Sequence, residues 1–293
     1  MQTGDATLFK ISGFAVSDNE LADVVVRVPG NYIAPKDIEE DFKLARYLYD
    51  NGIPVIEPIG TELIVCDGRP LFISRAVKAV DDTPTPEELG ALLARFHAVP
   101  LSDNSSNDLR PLDPFRHTEV RLPQVAKILK PSNYQAVVKK LQQNKELWAK
   151  LGNQPFTVVA HGDYYAGNVI PEFQGERMPP SLRICDFERS DRGFPELDLL
   201  RFVQGEVRFN RSEEILQQVV SAYTAAGGKT LDVALARRLL DIIDLNITIG
   251  VGAYAAAGDE WAKGEFPTRL RSTLLGEGAK WTTKKEWLAS RRQ

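Results

Sequence analysis

Cysteine, histidine and long apolar runs are all scarce in this 293-residue chain. The two cysteines, Cys66 and Cys185, lie 119 positions apart with no metal-type spacing around them. That usage excludes a disulfide framework and fits reduced thiols in a cytoplasmic protein. Of the three histidines, His97 and His117 have no ligand-type neighbours in sequence and read as packing or surface residues. No apolar stretch is long enough to span a bilayer, and no charged-then-apolar leader precedes a small-residue cleavage site. A membrane partner is therefore not expected. A strong excess of one charge is missing too, the net being −4. The basic segment 280–293 is short and holds Trp281 and Trp287. It reads as a solvated terminal helix with two docking tryptophans, not as an arm for nucleic acid.

What is present fits one globular protein with a large core. Residues 7–11 and 23–28 are rich in β-branched side chains and are expected to be strands, with a turn-like 12–22 between them. Pro35 opens a helix with Asp37 and Glu39 in its first turn, and Gly52 is its stop signal. Residues 63–66 and 71–74 bracket Asp67-Gly68-Arg69-Pro70 and predict a hairpin. Thr85-Pro86-Glu87-Glu88 is a capping box for a helix over 86–98. Strands and one helix, then mostly helices from residue 86, predict an α+β protein in two lobes, 1–77 and 78–293. Residues 102–135 read as a mobile loop.

The chemistry is concentrated in His161-Gly162-Asp163-Tyr164-Tyr165-Ala166-Gly167-Asn168 and, 18 residues after Asn168, in Asp186 at the end of an apolar run. Phosphoryl transfer from ATP needs a carboxylate to take the proton of an attacking hydroxyl. It also needs an amide and a carboxylate to hold magnesium on the triphosphate.

The order H-x-D-x-x-x-x-N, then D, resembles the catalytic and magnesium loops of protein kinases. It is closer to the aminoglycoside phosphotransferase and choline kinase family, whose segments read H-G-D-x-x-x-x-N and I-D-[FW]-E. Residues 89–100 resemble that family's L-x-x-L-A-x-L-H-x-x-P helix end. Residues 184–202 resemble its I-D-x-E-x-x-x-x-G-x-P-x-x-D-L segment. The resemblance covers residues 4 to about 258 and implies a protein-kinase-like fold with a small β-rich N-terminal lobe and a larger helical lobe. It implies ATP and Mg2+ as cofactors and a small-molecule hydroxyl acceptor. Asp163 becomes the catalytic base, Asn168 and Asp186 the magnesium ligands. His161 and Asp198 become structural braces.

On the nucleotide side, the resemblance implies that Arg27 meets the phosphates, where relatives often carry lysine, with Asp41 as its carboxylate partner and Glu40 as the fallback. Gly4 and Thr7 would belong to the loop over the phosphates. The family's strand before that loop is missing here or reduced to residues 1–3. The main chain of Ser74, Arg75, Ala76 and Val77 would read the adenine. Glu188, Asp191, Arg192, Asn246, Asp259 and Glu260 are the acceptor-binding candidates, and Glu188 has a second magnesium or a plain ion pair as alternative roles. Residues 101–293 hold 27 Lys+Arg against 24 Asp+Glu, which gives no support for a polycationic acceptor. Antibiotic and metabolite acceptors both fit. A nucleotide-binding protein of this fold with little transfer activity is the alternative. A protein kinase is disfavoured by Asp186-Phe187-Glu188 in place of D-F-G and by the lack of an A-P-E segment.

Overall fold

The computed structural model describes residues 2–3, 6–17, 20–30, 35–101, 109–151, 156–176, 178–276 and 280–291. They form an α+β protein in two compact units. One comprises Met1–Leu112, Thr157–Pro195 and Gln218–Thr230, and the other Asp113–Phe156, Glu196–Gln217 and Leu231–Gln293.

In the first unit, β1 (Gln2–Thr3), β2 (Ala6–Ser17) and β3 (Glu20–Pro29) are followed by α1 (Pro35–Asp50), β4 (Ile64–Cys66) and β5 (Arg69–Arg75). The strands make one antiparallel sheet in the order β1-β2-β3-β5-β4. Both strands of the β2–β3 hairpin run further than their β-branched cores predicted, through most of the expected turn at 12–22. A register shift between Ile11 and Phe14, at Gly13 with φ +68°, lets pairing resume beyond it. Val24, Val26 and Ile73 form the buried centre of this sheet, with Phe14, Ile59 and Leu71 packed around them.

The β4–β5 hairpin turns on Asp67 and Gly68 alone, with φ +51° and +76°. Both central residues are left-handed, as a two-residue hairpin turn requires. Arg69 and Pro70, expected in the turn, are the first residues of β5. Helix α1 buries Ile38, Asp41, Phe42, Leu44, Ala45 and Leu48, and its Phe42 meets Phe72 of β5 edge-on at 5.6 Å.

α2 (Pro86–His97) starts on the anticipated capping box: Glu88 N donates to Thr85 Oγ1 at 3.2 Å, and Thr85 N to Glu88 Oε2 at 2.8 Å. Segment 109–151 is mainly helical, with α3 (Arg116–Ala126) and α4 (Pro131–Leu151). The loop expected over 102–135 therefore gives way to helix from Arg116, and residues 102–108 lie outside the described set. Four short strands follow: β6 (Val158–Ala160), β7 (Val169–Glu172), β8 (Ser181–Ile184) and β9 (Asp191–Gly193). β6 pairs with β9 and β7 with β8, each pair antiparallel.

The remaining helices are α5 (Leu200–Phe209), α6 (Glu213–Ala225), α7 (Val233–Arg238), α8 (Leu240–Ala256), α9 (Glu260–Leu275) and α10 (Lys284–Ser290). Residues 218–225 of α6 belong to the first unit. There α2 lies so close to α6 that a Cβ on Gly90 would stand 2.3 Å from Val219 O. In the second unit α8 is the central helix, apolar on nearly every side, and packs against α3, α4, α5 and α9. Its buried Asp244 accepts from Arg208 Nε at 2.6 Å and from Gln204 Nε2 at 2.8 Å. Trp281 is fully buried, donates to Ser272 Oγ at 2.7 Å and lies against the Arg208 and Arg269 guanidinium groups. Trp287 is half-buried, so the terminal segment docks chiefly through Trp281. No helix among the described residues is long and apolar enough to cross a membrane.

Candidate active site

The loop between β6 and β7 holds Asp163 and Asn168, and a 3-10 turn over Ala166–Asn168 folds it back on itself. Asn168 Nδ2 donates to Asp163 O at 2.8 Å, which fixes the amide so that its oxygen, Oδ1, is the atom able to act as a ligand. Two glycines make the turn possible. Gly162 has φ +74°, and a Cβ there would stand 2.4 Å from Arg189 O. At Gly167 a Cβ would meet the Tyr165 ring at 2.4 Å.

The register of the β7–β8 hairpin brings Asp186 to this loop. Val169 faces Ile184, and one step beyond that pair Cys185 N donates to Asn168 O at 3.0 Å. Asp186 is the next residue and takes φ +70°. A left-handed non-glycine residue is uncommon outside turns and functional sites, though aspartate tolerates it better than most.

His161 is fully buried and joins the same two segments. Its Nε2 lies 3.0 Å from Cys185 O, and its Nδ1 accepts from Asp163 N at 3.3 Å. With the carbonyl facing Nε2, that nitrogen carries the proton. Its ring sits among Phe96, Tyr164 and Phe187, Ser190 Oγ donates to its carbonyl at 2.9 Å, and Tyr164 Oη anchors the loop to Leu89 O at 2.8 Å. Asp198 is also fully buried, in a 3-10 turn over Pro195–Leu199.

Arg27 of β3 reaches this loop cluster. Its Nη2 donates to Glu188 Oε2 at 2.6 Å and its Nη1 lies 3.6 Å from Asp186 Oδ1. Burial works against the Arg27 charge, but Glu188 and then Asp186 outweigh it and hold its pKa above the usual value, with Asp41 adding to them from α1. The Asp186 carboxyl is pushed up to about 6, first by burial and then by Glu188, with Arg27 opposing both. Burial, and next Asp186, raise the Cys185 thiol to about 12. The Arg27–Glu188 pair was not expected from the sequence. Its members are 161 residues apart, and no local spacing signals it.

Among the described residues, no group of three or more His, Cys, Asp or Glu side chains closes around a metal. The oxygen set offered by Asn168 and Asp186 suits magnesium, which keeps several waters and takes phosphate oxygens in place of a full protein cage.

Several anticipated residues have other tasks. Arg75 is tied through its side chain to Glu57 at 2.5 Å and Glu20 at 2.8 Å, and its N–H donates to Glu57 O. Ala76 N donates to Asp23 O at 2.8 Å. Ser74 is paired with Val25 inside the sheet, whereas Val77 N–H and C=O make no hydrogen bond among the described residues. Gly4 lies outside the described residues, and Thr7 pairs with Gln2 and Val28. β1, Gln2–Thr3, pairs with the first residues of β2.

Of the acceptor candidates, Asp191 and Arg192 lie in β9 opposite Ala160 and Val159, directly before the loop that holds Asp163. Asn246 lies on α8. It accepts from Thr118 Oγ1 and donates to Pro114 O, both at 2.5 Å, which ties α8 to α3 and to the segment just before it. Asp259 caps α9 by accepting from Ala262 N at 2.9 Å and pairs with Lys284 at 2.6 Å. Glu260 pairs with Lys263 on the surface. Each of these three acceptor candidates thus has a structural partner in the folded chain.

The family model described as "Phosphotransferase enzyme family" (APH) matches residues 12–234, and the chain belongs to that family. It is thus an enzyme of the kinase type, and its fold is the protein-kinase-like α+β fold of its solved neighbours. The microcompartment-associated aminopropanol kinase is 15% identical, with 92% of this chain and 90% of that one covered and a TM-score of 0.60. Spectinomycin phosphotransferase APH(9)-Ia, solved with ADP and spectinomycin, is 17% identical over 93% and 86% at 0.58. A Plasmodium vivax ethanolamine kinase is 14% identical over 92% and 81% at 0.57. No curated protein sequence matches the chain.

Proposed function

We propose that this enzyme moves the γ-phosphoryl group of ATP, with Mg2+, to a hydroxyl of a small molecule, an antibiotic or a metabolite. The observation that carries the reading is the convergence of Asp163, Asn168 and Asp186 through one loop and one hairpin, with Arg27 reaching them from β3. Residues 1–77 form the nucleotide-binding lobe and 78–293 the catalytic and acceptor-binding lobe.

Asp163 orients the acceptor hydroxyl and takes its proton as the oxygen attacks. Asn168 Oδ1 and the Asp186 carboxylate would hold magnesium, which supplies positive charge against the triphosphate. Arg27 meets the phosphates with Asp41 behind it, and Thr7, a residue of β2, is the described member of the segment expected over them. With the Arg75 and Ala76 N–H groups already bonded, Val77 N–H is the donor of this stretch left for adenine. His161 braces the loop, and Asp198 is the second structural brace, buried in its own 3-10 turn. Asp191 and Arg192 are the acceptor-side groups. The solved neighbours that bind ADP or GDP support nucleotide use, and those named for spectinomycin, ethanolamine and aminopropanol support a small hydroxyl-bearing acceptor.

The test is ADP release in the presence of Mg-ATP across a panel of aminoglycosides, macrolides, amino alcohols, sugars and hydroxyl-bearing amino acids. One acceptor that raises turnover well above the acceptor-free rate supports the reading. Slow turnover that none accelerates favours a nucleotide-binding protein with little transfer activity, the reading that Arg27 in a lysine position keeps open.

A further inference from the structure

Glu188 follows Asp186 by two residues, yet the two carboxylates stand in different relations to Arg27. Glu188 Oε2 accepts from Nη2 at 2.6 Å, and its side chain is 13% exposed. Asp186 Oδ1 is 3.6 Å from Nη1, and its side chain is 40% exposed. One arm of the guanidinium is therefore held in a short, half-buried, charge-assisted bond, while the other faces the more open carboxylate. Phe187 lies between the two acids and is itself buried, with its ring stacked on Phe96 at 6.4 Å. That packing fixes the backbone on which Glu188 stands.

We infer that Glu188 is the positioning residue of Arg27: it holds Nη2 so that Nη1 is presented to the phosphates of the nucleotide. The inference rests on the proposed nucleotide site but not on phosphoryl transfer. Arginine has a long stem with many rotamers, and a fork held at one arm loses less freedom when the other arm binds. A lysine ammonium offers one nitrogen and cannot be held and presented at once by separate arms. The role assigned is neither metal ligation nor acceptor binding, and it links the strand that carries the phosphate cation to the segment that carries Asp186.

The sign of one measurement separates these roles. Removing a carboxylate from a site for an anion strengthens anion binding when that carboxylate acts only as a charge. If Glu188 positions Arg27, its removal weakens binding instead. Equilibrium binding of a fluorescent ATP analogue is measured in EDTA for the parent, Glu188→Gln, Glu188→Asp, Arg27→Ala and Arg27→Ala/Glu188→Gln, with thermal unfolding recorded for each. The expected result is a loss of about tenfold for Glu188→Gln, a smaller loss for Glu188→Asp, and a double variant no weaker than Arg27→Ala. Tighter or unchanged binding by Glu188→Gln in EDTA overturns the inference. So does a double variant whose loss is the product of the single ones. Should Glu188→Gln not fold, the comparison of Glu188→Asp with the parent decides, with unchanged binding again overturning the role. Absence of transfer to every acceptor would defeat the proposed kinase activity and leave this result standing.

Discussion

Cys185 N–H donates to Asn168 O at 3.0 Å, so the residue that ends the catalytic loop and the residue before Asp186 face each other across a hairpin. A separation of 17 residues in sequence shrinks to one rung of a ladder. The Asn168 amide and the Asp186 carboxylate, the proposed magnesium ligands, are thereby set by backbone hydrogen bonds, not by side-chain packing alone. His161 adds a second tie between the same two segments through Cys185 O and Asp163 N.

Replacing Asp163 with Asn is expected to lower kcat by at least about a thousandfold while nucleotide binding stays near the parent value, because the proton acceptor is lost and the metal oxygens remain. Steady-state rates beside equilibrium binding check it. Turnover within about tenfold of the parent would reject the base assignment.

Asp186→Ala should weaken nucleotide binding in Mg2+ and have much less effect in EDTA, since an anionic ligand is removed. Calorimetric titration of ATP under both conditions is the check. Equal affinity and equal rate for variant and parent in Mg2+ would refute the metal role.

Gly162→Ala should impair the loop more than the fold. Its φ of +74° disfavours a side chain, and the new Cβ would stand 2.4 Å from Arg189 O, so either the loop or residue 189 must move. The expected outcome is a loss of activity of about tenfold or more, with a destabilisation of roughly 1–3 kcal/mol. Activity at the parent level would show that the tight approach is not needed.

The two thiols should react at very different rates. Cys66 is exposed, whereas Cys185 donates to Asn168 O at 3.4 Å and its thiol is raised to about 12 by burial and Asp186. At pH 8 one thiol per chain should react rapidly with an aromatic disulfide reagent, because the thiolate is the reacting form. Cys66→Ser should abolish that fast phase. Two equally fast thiols in the parent would contradict the environment assigned to Cys185.

Features carried by residues close together in the chain are legible in the sequence. The capping box at Thr85, the Pro35 helix with its Gly52 stop, the Asp67-Gly68 turn and the H-G-D-x-x-x-x-N loop each act through hydrogen bonds or torsions within a few positions. Local chemistry of that kind survives translation into a one-dimensional pattern. Asp163, Asn168 and Asp186 could be singled out because their types and order are those that phosphoryl transfer demands. The whole run of β2, by contrast, depended on a register shift at Gly13 that lets pairing pass a break in the alternation.

Tertiary structure alone decided which charges meet. Asn246, Asp259 and Glu260 looked available in sequence because a polar residue on a helix carries no mark of its partner. In the folded chain Asn246 meets Thr118, Asp259 meets Lys284 and Glu260 meets Lys263. Arg27 meets Glu188 at 2.6 Å, across 161 residues, for the same reason. Ion pairing depends on distance in space and on burial, and a linear chain records neither. The sequence by itself determined the order of the candidate site groups and the local turns that present them, while the folded chain determined the surroundings that hold each charge in place.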